Sequence, residues 1–271
     1  MTFSLVARSA DGAQYGVAVA SRFLAVGAAV PAAQFGVGAV ATQSFANLAY
    51  RPDGLRMLAE GRSAQETLDA LVGADELRES RQAGIVDREG RAATWTGGEC
   101  MDWAGGRTGE GWAAQGNILT GPEVVDSLAM AFEGTSGSLA VRLHQALLAA
   151  DRAGGDRRGR QSAALLVVSQ GGGYGGSSDV LVDLRVDDHA DPVPELGRLL
   201  DQHHLYFGKP EPDQILPLLG DLAQEVRDRL DRLGYASLDE WAGVENYEER
   251  LVDGCIDLVV LEKLREAAHA T

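Results

Sequence analysis

The apolar residues of this chain change their spacing in blocks, and the order of those blocks limits the folds open to it. FSLVAR (3–8) and YGVAVA (15–20) read as two strands joined by SADGAQ, whose Asp11-Gly12 pair is a strong hairpin signal. The stretch AVGAAVPAAQFGVGAVATQS reads as a further strand pair interrupted at Gly36 and Gly38. From Pro52 to Leu71 the period turns helical, and Ser63 with Glu66 forms a capping box for the second of two helices. Strands return at RQAGIVDREGRAATWTG, a hairpin around Asp87 to Gly90, and at GWAAQGNIL. Helices run from Pro122 to Ala153, and QSAALLVVSQ and DVLVDLRVDD then read as strands on either side of the turn GGGYGG. Grouped runs of this kind predict an α+β fold of antiparallel sheets covered by helices and exclude a parallel βαβ sheet.

Near Leu205 the pattern breaks. YFGKPEPDQ reads as a linker, which divides the chain into a main domain over 1–204 and a helical module over 205–271. In the module a helix is expected over Asp213 to Leu233, with Ile215, Leu218, Leu219, Leu222, Val226, Leu230 and Leu233 on one face and Gly234 as its stop. Ser237 with Glu240 caps a short helix, and Ile256 to Ala268 makes the last one.

Charge and composition narrow the partners. A net charge of -16 over 271 residues, with no clustered basic surface, argues against nucleic acid. No apolar run reaches the roughly 18 residues of a spanning helix, and no basic leader precedes an h-region, so no membrane partner and a cytoplasmic location are expected. Cys100 and Cys255 lie far apart without ligand spacing, so neither a disulfide framework nor a zinc site is indicated. No cofactor is expected.

Chemistry-bearing residues gather at strand ends. Methionine before a small second residue is commonly removed, and that removal would leave Thr2 with both a hydroxyl and a free α-amine. Such an amine, with a pKa of about 7.7 to 8.0, can take the hydroxyl proton near neutral pH. The plain alternative is a β-former that merely starts a strand. AGGDRRGRQSAALLVV crowds Asp156, Arg157, Arg158, Arg160, Gln161 and Ser162 at the mouth of a strand, where sites are built, or else forms a solvated ion-pair cluster. Ser21 and Arg22 end the second strand, Gln43 and Asn47 follow the next pair, and Asn117 closes QGN. The neutral donors suit an amide or its oxyanion, and Arg22 or Arg158 suits a substrate carboxylate. Asp187, Asp188, His189 and Asp191 could suggest a divalent metal, but adjacent strand residues point oppositely and Asp191-Pro192 reads as the cap and first turn of a helix that ends at His203. GGGYGG leads into a strand, not a helix, and so does not make a phosphate loop.

The segments MTFSLVARSADGAQYGVAVASRFLAVGA, GVGAVATQSFAN, RTGEGWAAQGNIL, GGDRRGRQSAALLVV and VDLRVDDHADPV together resemble a bacterial family, domain of unknown function 1028, from Thr2 to about His203. The resemblance implies an N-terminal-nucleophile hydrolase, a four-layer αββα sandwich. It is similar in part to the proteasome β subunit, whose active threonine opens the first strand. Ser21 and Arg22 match that subunit's D-S-R-A-T run, but Ala20 stands at its aspartate, and its lysine has no counterpart near VPAAQFGVG. By position the resemblance makes Asp156 and Ser162 the residues that orient the Thr2 amine. The tail resembles a peptidoglycan-binding helical module, against which stands a plain packing or dimerisation appendage.

The expectation is therefore an amidohydrolase acting on a small amide or ureido compound. Thr2 would be the nucleophile, Asp156 and Ser162 its supports, and Asn117 with backbone N–H groups near Gln43 the oxyanion donors. Ser21, Arg22, Gln43, Asn47, Arg158 and Gln161 would bind substrate, with no metal and with homodimerisation expected. A catalytically inactive scaffold that binds a ligand or partner is the competing expectation, and a metal hydrolase ranks last.

Overall fold

The turn chemistry of the first residues is realised directly. β1 (Thr2–Arg8) and β2 (Gln14–Ser21) pair antiparallel with Phe3 opposite Ala20, and Gly12 takes a φ of 75° in the turn. The computed structural model describes residues 2–270. A one-turn helix absent from the sequence reading, α1 (Val26–Ala29), precedes β3 (Pro31–Gln34) and β4 (Gly38–Ser44). Helices α2 (Tyr50–Ala59) and α3 (Ala64–Gly73) follow, and the Ser63–Glu66 capping box forms with both of its hydrogen bonds.

β5 (Arg81–Asp87) and β6 (Ala92–Thr96) make the next hairpin. The buried Asp87 carboxylate accepts the N–H groups of Glu89 and Arg91 in that turn and of Ala64 at the start of α3, each at 3.0 Å. One carboxylate thus ties a turn to a helix start. β7 (Gly105–Gly109) was not foreseen, because GGRTG carries three glycines and little strand propensity; pairing with β8 (Trp112–Asn117) makes it an edge strand. Then come α4 (Glu123–Gly134), α5 (Leu139–Arg152), β9 (Ser162–Ser169), β10 (Val180–Val186) and α6 (Pro192–Phe207). The last of these runs four residues past the expected end at His203.

All the pairings are antiparallel. In the first unit one sheet has six strands in the order β10-β9-β2-β1-β8-β7 and the other four in the order β3-β4-β5-β6. Alternation along each strand sends one set of side chains outward to helices and the other into the gap between sheets. Phe3, Leu5 and Leu165 pack with Leu128, Leu143, Leu147 and Leu196 of α4, α5 and α6. Val40 and Ile85 of the smaller sheet pack with Leu58 and Leu68 of α2 and α3. Val6, Val17, Val19, Ala39, Val86 and Ala113 fill the gap where β1 and β8 face β4 and β5. Burying each of these valine, leucine and isoleucine side chains stabilises the fold by about 1.5–3 kcal/mol.

The chain divides into two units, one ending at Leu200 and one starting at Asp201. In the second, β11 (Ile215–Pro217) pairs with β12 (Cys255–Asp257), and α7 (Gly220–Leu233), α8 (Leu238–Val244) and α9 (Leu258–Ala270) enclose Val226, Leu230, Trp241, Ile256 and Leu264. Two helix starts expected from the sequence move. The helix placed at Asp213 begins at Gly220, and that placed at Ile256 begins at Leu258, because both preceding segments are taken up as strands; Pro217 also suits an edge position better than a helix interior. Gly234 ends α7 at a φ of 84°, as its position predicts. Both cysteines are free. No helix among the described residues is long and apolar enough to cross a membrane.

A buried ion pair anchors the second unit. Arg250 bonds the Asp257 carboxylate and donates to the carbonyls of Leu205 and His204, each at 2.6 Å. Both side chains are buried, so removing one strands the other. Arg250→Met is expected to cost about 3–5 kcal/mol, and urea unfolding of the full chain followed by circular dichroism should show the second unit melting early.

Candidate functional site

The gap between the two sheets changes character along its length. At one end it is filled by valines and alanines, and at the other the same inward-facing positions carry Thr2, Ser4, Ser21, Gln43, Gln82, Gln115 and Asn117, all buried. Strand register explains the clustering. β1 and β9 begin, and β2 and β8 end, at the same edge of the six-stranded sheet, with Thr2 opposite Asn117 and Ser21 opposite Ser162. Four polar side chains predicted from separate strand ends thus stand in one row.

Within the row, Thr2 Oγ1 lies 3.1 Å from Ser21 Oγ, close enough for either hydroxyl to donate to the other. Thr2 is 6% exposed. Met1 and the question of its removal lie outside the described residues. Asp156 approaches from the turn after α5: its carboxylate accepts the Arg22 N–H at 2.7 Å and the Arg158 N–H at 2.8 Å. That clamp fixes the chain immediately beyond Ser21. The Ser162 hydroxyl donates to the carbonyl of Phe23 and accepts from the Val26 N–H at 3.1 Å. A hydroxyl has one proton to give, so Ser162 serves the loop after β2 and keeps at most acceptor capacity for an amine.

A network of amides backs the row. Gln82 Oε1 accepts from Gln43 Nε2 and Asn117 Nδ2, both at 2.8 Å, while Gln82 Nε2 donates to the Gly116 carbonyl at 2.7 Å and to Thr96 Oγ1 at 2.9 Å. Gln43 also reaches the Thr2 carbonyl at 3.3 Å, and its own Oε1 accepts from Ser4 Oγ at 2.7 Å. Gln115 donates to Ser4 Oγ at 2.6 Å. Low dielectric strengthens such linked bonds and makes any unpaired member costly. Asn117 is left one amide hydrogen for a ligand. Gln82, Gln115 and Ser4 escaped the sequence reading; for the two glutamines the available signal was a lone amide at an inward position of the otherwise apolar runs QAGIV and WAAQG.

Asn47 belongs to a different cluster. It donates to Asp75 at 2.9 Å, as does Arg81 Nε, also at 2.9 Å, beside Tyr50 and a surface groove of about 460 Å³ between α2 and α3. Burial works to raise the Asp75 carboxyl, but bonds from Arg81, Asn47 and the Leu77 N–H outweigh it and hold the group well below the usual carboxylate range. Burial, followed by the neighbouring Asp75 carboxylate, pushes the Tyr50 hydroxyl up.

Arg22 and Gln161 line a second, open groove of about 300 Å³ together with Arg160, Asp188, His189 and Ala190. Arg22 donates to the Arg158 carbonyl, so Arg158 acts on the groove through Arg22 and is not itself one of the residues that line it. A small cavity of about 10 Å³ shares Arg160 with the groove and is lined by Phe3, Ser21 and Asp156. Asp188 is bonded by Gln161 at 3.2 Å, and no group of three or more His, Cys, Asp or Glu among the described residues is placed to hold a metal ion.

The model for DUF1028, a family of unknown function, matches residues 2–196. A second model, "Putative peptidoglycan binding domain" (PG_binding_2), matches residues 206–264. Among solved structures the chain is similar to a Silicibacter pomeroyi protein of the DUF1028 family, at 28% identity and a TM-score of 0.68, over 83% of this chain and 89% of that one. Anbu (ancestral beta-subunit) from Yersinia bercovieri gives 13% identity and a TM-score of 0.33 over 74% and 93%, a likeness that carries no argument. No curated protein matches.

Gln82→Met keeps volume but removes the shared acceptor, leaving the Gln43 and Asn117 amides short of a partner. A loss of about 2 kcal/mol or more in urea unfolding, without a change in slope, is expected. Asp75 supplies a pH test. A carboxyl held low when folded stabilises at pH values above the unfolded value, about 3.9, and that contribution drains as pH falls from there toward the folded value. Asp75→Asn should therefore flatten the acid limb of a stability curve measured from pH 7 down to about pH 2.

Proposed function

Because the chain belongs to the DUF1028 family, to which no activity is attached, we propose that it is an amidohydrolase of the N-terminal-nucleophile kind with its layers in αββα order. The observation that carries this reading is the row itself: Thr2, at the start of a central strand, faces the Ser21 hydroxyl at 3.1 Å with Asn117 opposite and the Asp156 clamp beside it. Once the residue before Thr2 is excised, its α-amine takes the hydroxyl proton as Oγ1 attacks a small amide carbonyl. The remaining Asn117 amide hydrogen and backbone N–H groups stabilise the oxyanion. Collapse breaks the C–N bond, the departing nitrogen takes the proton from the ammonium, and water then hydrolyses the ester on Thr2 with the amine as base. Gln43 and Gln82 position Asn117, and Ser162 holds the loop that carries Arg22.

A second reading rests on the near-burial of Thr2 and on the commitment of the Ser162 hydroxyl to the Phe23 carbonyl. On it the same end of the sandwich is an inactive scaffold, and the PG_binding_2 match in the second unit points to cell-wall peptidoglycan as its partner.

Intact-mass spectrometry after incubation with a β-lactone separates the two. The enzyme reading expects a chain that begins at Thr2, gains one acyl group and loses that reactivity in Thr2→Ala, whose unfolding free energy stays within about 1 kcal/mol of wild type. A chain that keeps a residue before Thr2 and stays unmodified supports the scaffold.

A further inference from the structure

The open groove beside Ser21 has an uneven charge distribution. Arg160 is paired twice, through Nε with Asp151 at 2.8 Å and through Nη1 with Asp191 at 3.1 Å, and Asp188 is bonded by Gln161. Arg22 is different. Its backbone N–H is clamped by the buried Asp156 and one guanidinium nitrogen by the Arg158 carbonyl, yet among the described residues it has no carboxylate partner. A guanidinium fixed by neutral bonds and left with free N–H donors is pre-organised for an incoming anion, and its planar fork matches a carboxylate. Across the groove His189 Nδ1 accepts the Asp191 N–H at 3.0 Å, which puts the proton of a neutral ring on Nε2 and makes that nitrogen a second donor. Arg160 also lines the small cavity that Ser21 borders, and Ser21 Oγ lies 3.1 Å from Thr2 Oγ1, so the groove adjoins the end of the sheet that carries the Thr2 row.

We propose that this groove is an anion subsite holding the carboxylate of an acidic small-molecule amide, with Arg22 as the clamp and His189 as the second donor. The assignment rests on the amidohydrolase reading for its amide but not for its anion. It also explains how a chain of net charge -16 accepts a negative substrate: the recognition is local, by a guanidinium with no carboxylate partner among the described residues, while the Asp188 carboxylate of the same groove is tied to the Gln161 amide and long-range repulsion is screened beyond about 8 Å at physiological salt.

Succinamate and its uncharged counterpart succinamide are suitable probes, titrated by NMR into full-length Thr2→Ala so that turnover plays no part. Succinamate should bind at least about tenfold more tightly than succinamide, and Arg22→Gln introduced into Thr2→Ala should erase the difference without moving the melting temperature. His189→Ala should weaken succinamate by a smaller factor. Equal binding of the two probes, no binding of either, or an undiminished preference in Arg22→Gln overturns the subsite. β-Lactone labelling reports separately on Thr2: if it fails while succinamate still binds through Arg22, the anion site stands and the hydrolase reading falls.

Discussion

One amide oxygen organises the polar end of this sandwich. Oε1 of Gln82 accepts from Gln43 on the neighbouring strand of its own sheet and from Asn117 on the facing sheet, so a single acceptor links the two layers. Apolar packing holds sheets together without choosing among nearby offsets, whereas a buried acceptor that must satisfy two donors fixes one offset. The row of Thr2, Ser21, Ser162 and Asn117 inherits its geometry from that choice. Gly84 makes room for it: a Cβ there would stand 2.1 Å from Gln115 Oε1, so the neighbouring amide needs a residue without a side chain.

The architecture was largely legible because the signals were local and redundant. Asp11-Gly12 turned the first hairpin, the Ser63–Glu66 box started α3, and block ordering of strands and helices excluded a parallel sheet. Failures came where a pairing partner far away overrode local preference. GGRTG has little propensity to be a strand, but β8 offers it an open edge, and Ile215–Pro217 left a helical pattern for a distant strand at Cys255–Asp257.

The site was half legible. Residues at strand ends, Thr2, Ser21, Asn117 and Ser162, were brought together by register, which follows from the hairpins, and Asp156 joined them from the turn after α5. Asn47 went to Asp75 because a loop residue's direction depends on tertiary contacts that spacing does not encode. Gln82 and Gln115 went unnoticed because a glutamine inside an apolar strand looks like an interruption, when its meaning lies in a partner on another sheet. Arg160 was seen only as part of a charged turn, and its place between groove and cavity needed three dimensions.

The strand order of the larger sheet also has a consequence for synthesis on the ribosome. β1 and β2 occupy its centre and emerge before their outer neighbours, β8 and β9, which begin only at Trp112 and Ser162. An isolated two-stranded ribbon is marginal in water, and its unsatisfied backbone edges template wrong pairings. The central pair thus waits for strands made much later before it is enclosed, a non-local pairing of the kind that slows folding and leaves edges open meanwhile.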